Sequence, residues 1–468
     1  MIFFFLLLAA GHFPLYNGFM NAVRSYSDEQ LRSLVFPLLI EQILGILVGI
    51  LDTMMVSSVG EAAISGVSLV NEVNFLVIVV MGALTTGGAV IVTQYIGSGN
   101  RSYSNLAAGQ LVLISSLVPA VFMGLVLVLH RQILHLLYPS ISPEVMQACI
   151  IYFVITAFSF PFLGIYNSGA ALHRSMNMTN VTMRVSILMN IINLAGNYIG
   201  IFILRIGVAG VALPTLISRA VAAWIIIRRC FNPQNEIVLM KKNILTLRTD
   251  VIRKILSIAV PNGIENGLFQ FGKVLVASII ATFGTSQIAA NGVANSLGTI
   301  AYIADSAMGM AVITVIGRCV GANDYSEAKY YTRRLVMSAA IMTGIANMIL
   351  YLTLPISLKL YTLTPEAAVL VRRIITIDCV VATVLHSAAF VLPNALRAAG
   401  DARYTMRIGI LSMFIMRLLG GYILGIRLGM GVIGVWYAMF ADWVVRIICF
   451  VWRYRSGEWM KYRVVGER

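Results

Sequence analysis

Apolar residues run along the chain in blocks long enough for a bilayer, which needs about 20 consecutive predominantly apolar residues per helical span, and short polar stretches separate them. Six blocks fall in the first half, at 34–56, 65–95, 105–130, 147–172, 182–204 and 207–228. Six more follow at 255–281, 286–317, 334–355, 366–395, 404–426 and 430–452. Lipid offers no partner to an unpaired backbone group, so every block is expected to be a helix. The pattern predicts an all-α integral membrane protein with six helices per half.

The halves are copies. Residues 37–219 recur at 261–443 with a constant offset of 224, and the matches fall on residues that punctuate structure. Pro37 and Glu41 meet Pro261 and Glu265; Gly60, Ile64 and Asn71 meet Gly284, Ile288 and Asn295; Gly207, Val208, Gly210 and Val211 meet Gly431, Val432, Gly434 and Val435. Internal repeats fix architecture before any single residue is considered. An even number of spans per repeat brings both halves in from the same side, so they are parallel repeats about an axis along the membrane normal, with a cleft expected at their interface. The expected organisation is an N-terminal segment at 1–30, a six-helix bundle at 31–228, a basic cytoplasmic linker at 229–254, a second bundle at 255–453 and a cytoplasmic tail at 454–468.

Composition narrows the class. The chain has 468 residues, of which 59% are hydrophobic and 11% charged; a soluble domain carries about 25% charged residues. The net charge of +15 is distributed by sidedness, which argues against nucleic acid. Arg228, Arg229, Lys241, Lys242, Arg248, Arg253 and Lys254 cluster in the central linker, whereas Arg131, Arg205, Lys359, Arg372, Arg373 and Arg427 fall on the opposite side. With both termini cytoplasmic, the positive-inside rule is met. The five cysteines show no CxxC spacing and suggest neither a disulfide framework nor a zinc site. Ile2 to Ala10 is an apolar run too short to span and lacking a basic lead, so residues 1–19 read either as an early start before Met20 or as an interfacial segment.

Charged and amide side chains inside spans are costly, and they are functional candidates by default. On the first span, Glu41, Gly45, Val48 and Asp52 lie at i, i+4, i+7 and i+11. Both carboxylates therefore share one face, about 16 Å apart along the axis. Asp52 either faces water near the end of its span or belongs to a buried site. The fifth span presents Asn190, Asn193 and Asn197 on one face. Those amides either bond between helices or, with Asp52, offer oxygens to Na⁺ or surround a carboxylate that carries H⁺. Matched positions in the second half hold Val276, Arg417 and Gly421 in place of Asp52, Asn193 and Asn197, so the inferred ion site lies in the first half.

The seventh span places Asn262, Asn266, Phe269 and Lys273 on one face beside Glu265 and Gln270, and the eighth carries the stripe Asn291, Asn295, Gly298, Tyr302, Asp305. Lipid would not tolerate such faces, so a water-filled cavity is expected, with Glu41, Asp378 and His386 contributing. Lys273 is expected to pair with Glu265, Asp305, Asp378 or Asp442. His386 either titrates near neutral pH or holds a structural hydrogen bond, and Asp442 with Arg446 reads as a structural i, i+4 pair. GxxxxGK[ST], GxSxG and HExxH are all missing from the sequence, so ATP-driven transport and hydrolysis have no support and no cofactor is expected. The candidate energy source is an ion gradient.

At this point the residues resemble a known pattern. Pro37 through the Leu51-Asp52-Thr53-Met54 box, Gly60, Ala63-Ile64-Ser65-Gly66-Val67 and Gln94-Tyr95-Ile96-Gly97 resemble the first two helices of the multidrug and toxic compound extrusion (MATE) family. Ile288-Ala289-Ala290-Asn291, Val320-Gly321-Ala322-Asn323 and Asn394 to Asp401 extend the resemblance over roughly residues 31–455. It implies twelve helices in two bundles forming a V, rocker-type alternating access, and export of amphipathic, usually cationic compounds in exchange for H⁺ or Na⁺, by a protein expected to be a monomer. The family's first-helix acid falls on Asp52 and its fifth-helix partners on Asn193 and Asn197. Its second fifth-helix acid is thus an amide here, and its second-bundle sodium ligands fall on Phe269 and His386. A flippase for a lipid-linked oligosaccharide or other anionic lipid is the rival reading, supported by Arg219, Lys273 and Arg417 within spans.

Overall fold

The structure, a computed structural model, describes residues 25–466, so the expectation for residues 1–19 lies outside it. Among the described residues there are helices and no strand. Eleven helices among these residues are long and apolar enough to cross a membrane, and twelve spans result when the bent pair Pro143–Phe158 and Phe160–Ser175 counts as one. Spans 1 to 3 are Asp28–Ser57, Glu61–Gly97 and Arg101–Leu137; span 4 is the bent pair; spans 5 and 6 are Thr179–Ile203 and Ala209–Cys230. Spans 7 and 9 to 12 are Thr249–Ala281, Tyr325–Lys359, Pro365–Ala398, Ala402–Arg427 and Gly431–Arg455. Span 8 is broken at Tyr302 into Thr285–Ala301 and Ile303–Gly321, whereas its counterpart, span 2, runs unbroken.

The repeat governs local structure as well as helix order. Gly60 and Gly284, matched at the offset, precede spans 2 and 8 with φ of +134° and +94°; Gly207 lies just before span 6 and Gly431 opens span 12, at +61° and +60°. Side chains rarely adopt that region, which explains why glycine persists in both copies. Matched Asn100 and Asp324 cap spans 3 and 9, accepting from the Tyr103 and Glu327 amides at 3.2 and 2.9 Å. Matched π-helical segments, Ile199–Ile203 and Ile423–Arg427, end spans 5 and 11.

The first of those segments lets two backbones touch. A Cβ on Gly200 would lie 2.4 Å from the Gly210 carbonyl oxygen, closer than any real contact. Small residues at such crossings let membrane helices approach. Gly200→Ala is therefore expected to cost about 1–3 kcal/mol by overpacking, read as a lowered Tm of the purified protein; an unchanged Tm would show that the crossing relaxes freely.

Ile40–Gly263 forms one compact unit, and Ile264 onward, with the start of span 1 up to Leu39, forms the other. Both boundaries lie at matched positions two residues beyond Pro37 and Pro261, so spans 1 and 7 are each divided. In the first unit the start of span 7 packs on span 2, where a Cβ on Gly87 would meet the Ile255 carbonyl oxygen at 2.7 Å. In the second, Arg334 pairs with Asp28 at 2.5 Å and Tyr331 accepts from the Tyr26 amide at 2.9 Å. The core of the first unit is aliphatic and aromatic, built on Val70, Phe153, Phe160 and Ile226. Large apolar residues such as Val128 and Leu136 point outward at 74% and 83% exposure, as lipid-facing positions of a span do.

Candidate ion and substrate site

A cavity of about 260 Å³ opens within the Ile40–Gly263 unit, between spans 1, 2, 4, 5 and 6. Asp52 and Thr53 line it from span 1, Ser68 and Asn71 from span 2, Tyr152 from span 4, Asn190 and Asn193 from span 5, and Thr215, Ser218 and Arg219 from span 6. Asp52 is half-buried and does not simply face water.

Asp52 is met by amides. The Asn197 side-chain nitrogen donates to Asp52 Oδ1 at 2.8 Å. Asn193 lies equally close, and one orientation of its amide satisfies both ends when Asp52 is ionised. With its nitrogen towards Asp52 it donates to both carboxylate oxygens, at 3.0 and 3.2 Å, and accepts from Thr215 Oγ1 at 3.1 Å. With its oxygen towards Asp52 it donates to Thr215 Oγ1 and accepts from Asn197 at 3.4 Å. An ionised carboxylate only accepts, whereas a protonated one also donates, so each orientation suits one protonation state of Asp52. Asn193 is 6% and Asn197 0% exposed, so both amides are buried beside the carboxylate. Asn190 lines the cavity one turn away.

Arg219 is the second charged group of the cavity. Its Nη1 donates to Ser159 Oγ at 2.7 Å, at the bend of span 4. Among the described residues no carboxylate lies within ion-pair distance of Arg219, and no cluster of three His, Cys, Asp or Glu could hold a metal ion. An alkali cation at Asp52 would depend on amide and hydroxyl oxygens from Asn190, Asn193, Asn197 and Thr215.

The two glutamates of the repeat have partners. Glu41 Oε1 lies 3.5 Å from Arg174, and Glu41 Oε2 accepts from Thr182 at 3.3 Å. Glu265 Oε1 lies 2.7 Å from Arg397, with both side chains nearly buried. A bare carboxylate at membrane depth is costly, and an arginine at the end of span 4 or span 10 offsets it. This corrects the expectation that Lys273 pairs with an acid. Glu265 is held by Arg397, Asp442 by Arg446 and Asp305 by His386, while Asp378 accepts from Tyr302. Lys273 is exposed, as is Asn266; Gln270 is half-buried and Asn262 buried.

Spans 8 and 10 build a second polar cluster. His386 Nδ1 meets Asp305 Oδ2 at 2.5 Å, and Thr343 and Ser387 donate to Asp305 Oδ1 at 3.0 and 2.7 Å. Tyr302, at the break in span 8, donates to Asp378 Oδ2 at 2.7 Å and stacks on the His386 ring at 3.8 Å. His386 is thereby fixed as a hydrogen-bond partner of Asp305 inside an aromatic box that includes Phe390 and Trp443. The expected stripe on span 8 is divided in use: Asn291 Oδ1 accepts from Trp436 at 3.1 Å, while Asn295 bonds back to its own helix.

Sequence reasoning did not place Tyr152, Asn71, Thr215, Ser218 or Arg219 at the ion pocket. One signal was present: Val211, Thr215, Ser218 and Arg219 follow i, i+4, i+7, i+8, a polar stripe on span 6. Tyr152 had none.

Up to twelve apolar spans among the described residues, in a doubled helical unit with polar pockets at membrane depth, define an integral membrane protein of two repeats. The MatE family matches residues 37–199 and again 261–423, two stretches displaced by the same offset of 224, and the chain belongs to that family. It is 27% identical over 455 residues to the uncharacterized transporter YisQ of Bacillus subtilis, covering 94% of this chain and 97% of that protein. It is 24% identical over 450 residues to the probable multidrug resistance protein NorM of Thermotoga maritima, covering 93% and 94%. Among solved structures, a MATE protein in the bent conformation superposes with a TM-score of 0.85 at 18% identity, covering 92% of this chain and 96% of that one. A MOP superfamily transporter from Pyrococcus furiosus superposes with a TM-score of 0.83, also at 18% identity and the same coverage. These likenesses agree with the all-helical two-repeat fold.

Proposed function

We propose that the chain is a secondary active antiporter that exports amphipathic organic cations in exchange for H⁺ or Na⁺, by rocker-type alternating access of two bundles at 31–228 and 255–453. Both termini and the basic linker at 229–254 are cytoplasmic in this reading, the working unit is a monomer, and the membrane is a bacterial-type plasma membrane. One observation carries it: Asp52, the one acid of its cavity, faces Asn193 and Asn197, whose hydrogen bonds depend on whether Asp52 is charged. Protonation turns Asp52 from acceptor to donor, the Asn193 amide turns over, and the contacts between spans 1, 5 and 6 change. Ion and substrate are coupled because each binds the inward and outward states unequally.

Ethidium efflux from proteoliposomes under an imposed pH gradient and, separately, an imposed Na⁺ gradient tests this. Efflux under at least one gradient, lost when an ionophore collapses it, is the expected result; efflux indifferent to both sinks the antiport reading.

A second reading, the anionic-lipid flippase, is favoured by one observation. Among the described residues neither Arg417 nor Lys273 has a carboxylate within ion-pair distance, and the Arg417 guanidinium rests on the Phe269 ring at 5.6 Å. Ethidium transport counts against that reading.

A further inference from the structure

The Asp52 cavity carries its own cation. Its lining holds two charged side chains, Asp52 and Arg219, so its formal charge is zero before any ion enters. The two stand apart: Arg219 is tethered to Ser159 Oγ at 2.7 Å, while Asp52 is met by the amides of span 5. Tyr152, the other titratable group facing Asp52, donates to Asn71 Oδ1 at 3.2 Å and brings no charge.

We propose that Arg219 is the specificity-determining residue of this pocket, a built-in counter-cation that excludes Na⁺ and leaves H⁺ as the ion exchanged at Asp52. The inference rests on the antiport reading and selects between its two ions. Three features carry it. A hard cation needs several converging oxygens, and the groups aimed at the ionised Asp52 are N–H donors, at 2.8 Å from Asn197 and at 3.0 and 3.2 Å from Asn193. A single lone pair on Asp52 suffices for a proton, and the alternative Asn193 orientation accommodates it through Thr215. The guanidinium, lining the same cavity as Asp52, then repels a metal ion entering it.

Among the described residues the other buried acids of the spans are engaged differently, Asp378 by the Tyr302 hydroxyl alone. The Asp305 carboxylate is saturated by His386, Thr343 and Ser387, and Glu41 and Glu265 each already face an arginine.

The test compares purified wild type, Arg219→Gln and Arg219→Lys by thermal unfolding in NaCl and in choline chloride of equal ionic strength. Wild type and Arg219→Lys are expected to show no Na⁺-specific rise in Tm. Arg219→Gln, which keeps a donor for Ser159, is expected to gain a saturable rise, with an apparent Na⁺ affinity at least tenfold above wild type that Asp52→Asn removes. In proteoliposomes with pH clamped, a Na⁺ gradient should drive ethidium efflux only in Arg219→Gln. A saturable Na⁺-specific rise in wild type overturns the proposal, as does a folded Arg219→Gln that gains none. Should Arg219→Gln fail to fold, Arg219→Met serves in its place, and the wild-type salt comparison decides by itself whether Na⁺ is excluded. The unfolding arm reads binding without transport, so a failure of the antiport reading, seen as the absence of any gradient-driven efflux, leaves this result interpretable.

Discussion

Asp52→Asn is expected to bring gradient-driven efflux of ethidium down to the level of protein-free liposomes while the protein still folds and inserts. The substitution keeps the shape of the side chain, and an amide can still accept from Asn197, whose nitrogen lies 2.8 Å from Asp52 Oδ1. It cannot take up and release a proton. Without a titrating group the gradient has no differential hold on the two conformations, and a ligand that binds two states equally shifts nothing. Coupling energies are typically about 1–3 kcal/mol, or roughly 5–150-fold in affinity, so losing the coupling removes most of the concentrative rate. Initial efflux rates measured beside an equal amount of wild type check this, and an Asp52→Asn protein that keeps wild-type gradient dependence would remove Asp52 from the mechanism.

Arg446→Met is expected to produce the largest loss of stability. Arg446 Nε donates to Asp442 Oδ1 at 2.9 Å and Nη2 to the Gly409 carbonyl at 2.9 Å, and its guanidinium lies 5.3 and 5.5 Å from the Phe269 and Phe390 rings. The two charged side chains are 3% and 0% exposed. Breaking a buried pair by removing one partner costs about 3–5 kcal/mol, because it strands the other charge. A large fall in Tm is expected for Arg446→Met, with most of it recovered in the double variant Asp442→Asn/Arg446→Met, which has no charge to strand. Equal Tm values for wild type and Arg446→Met would show that water or lipid headgroups reach Asp442.

Periodicity made the helices legible, and the offset of 224 made their pairing legible. Local rules carried further where the partners share a helix turn, as with Asp442 and Arg446 at i, i+4. They also sufficed where one face of one helix holds the set, as with Asn190, Asn193 and Asn197. Partners on distant spans left no trace. Glu265 and Arg397 are separated by 132 residues, and no periodicity says that the end of span 10 meets span 7. Arg219 was visible as a charge inside a span, but its place beside Asp52 depends on how spans 1 and 6 turn towards each other. The break at Tyr302 has neither proline nor an adjacent glycine to announce it; the Tyr302 hydrogen bond to Asp378 and its stacking on His386 belong to tertiary packing.

Coupling between ion and substrate is reciprocal, which allows the central claim to be tested without imposing any ion gradient. Proteoliposomes loaded with ethidium, with equal pH and equal Na⁺ on both sides, are diluted so that the dye runs downhill, and counter-movement of H⁺ is followed with an internal pH indicator and that of Na⁺ with a tracer. The account predicts uphill ion movement opposite to the dye with wild-type protein and none with Asp52→Asn. Downhill dye movement without ion counter-movement in wild type, or equal counter-movement in Asp52→Asn, would contradict it.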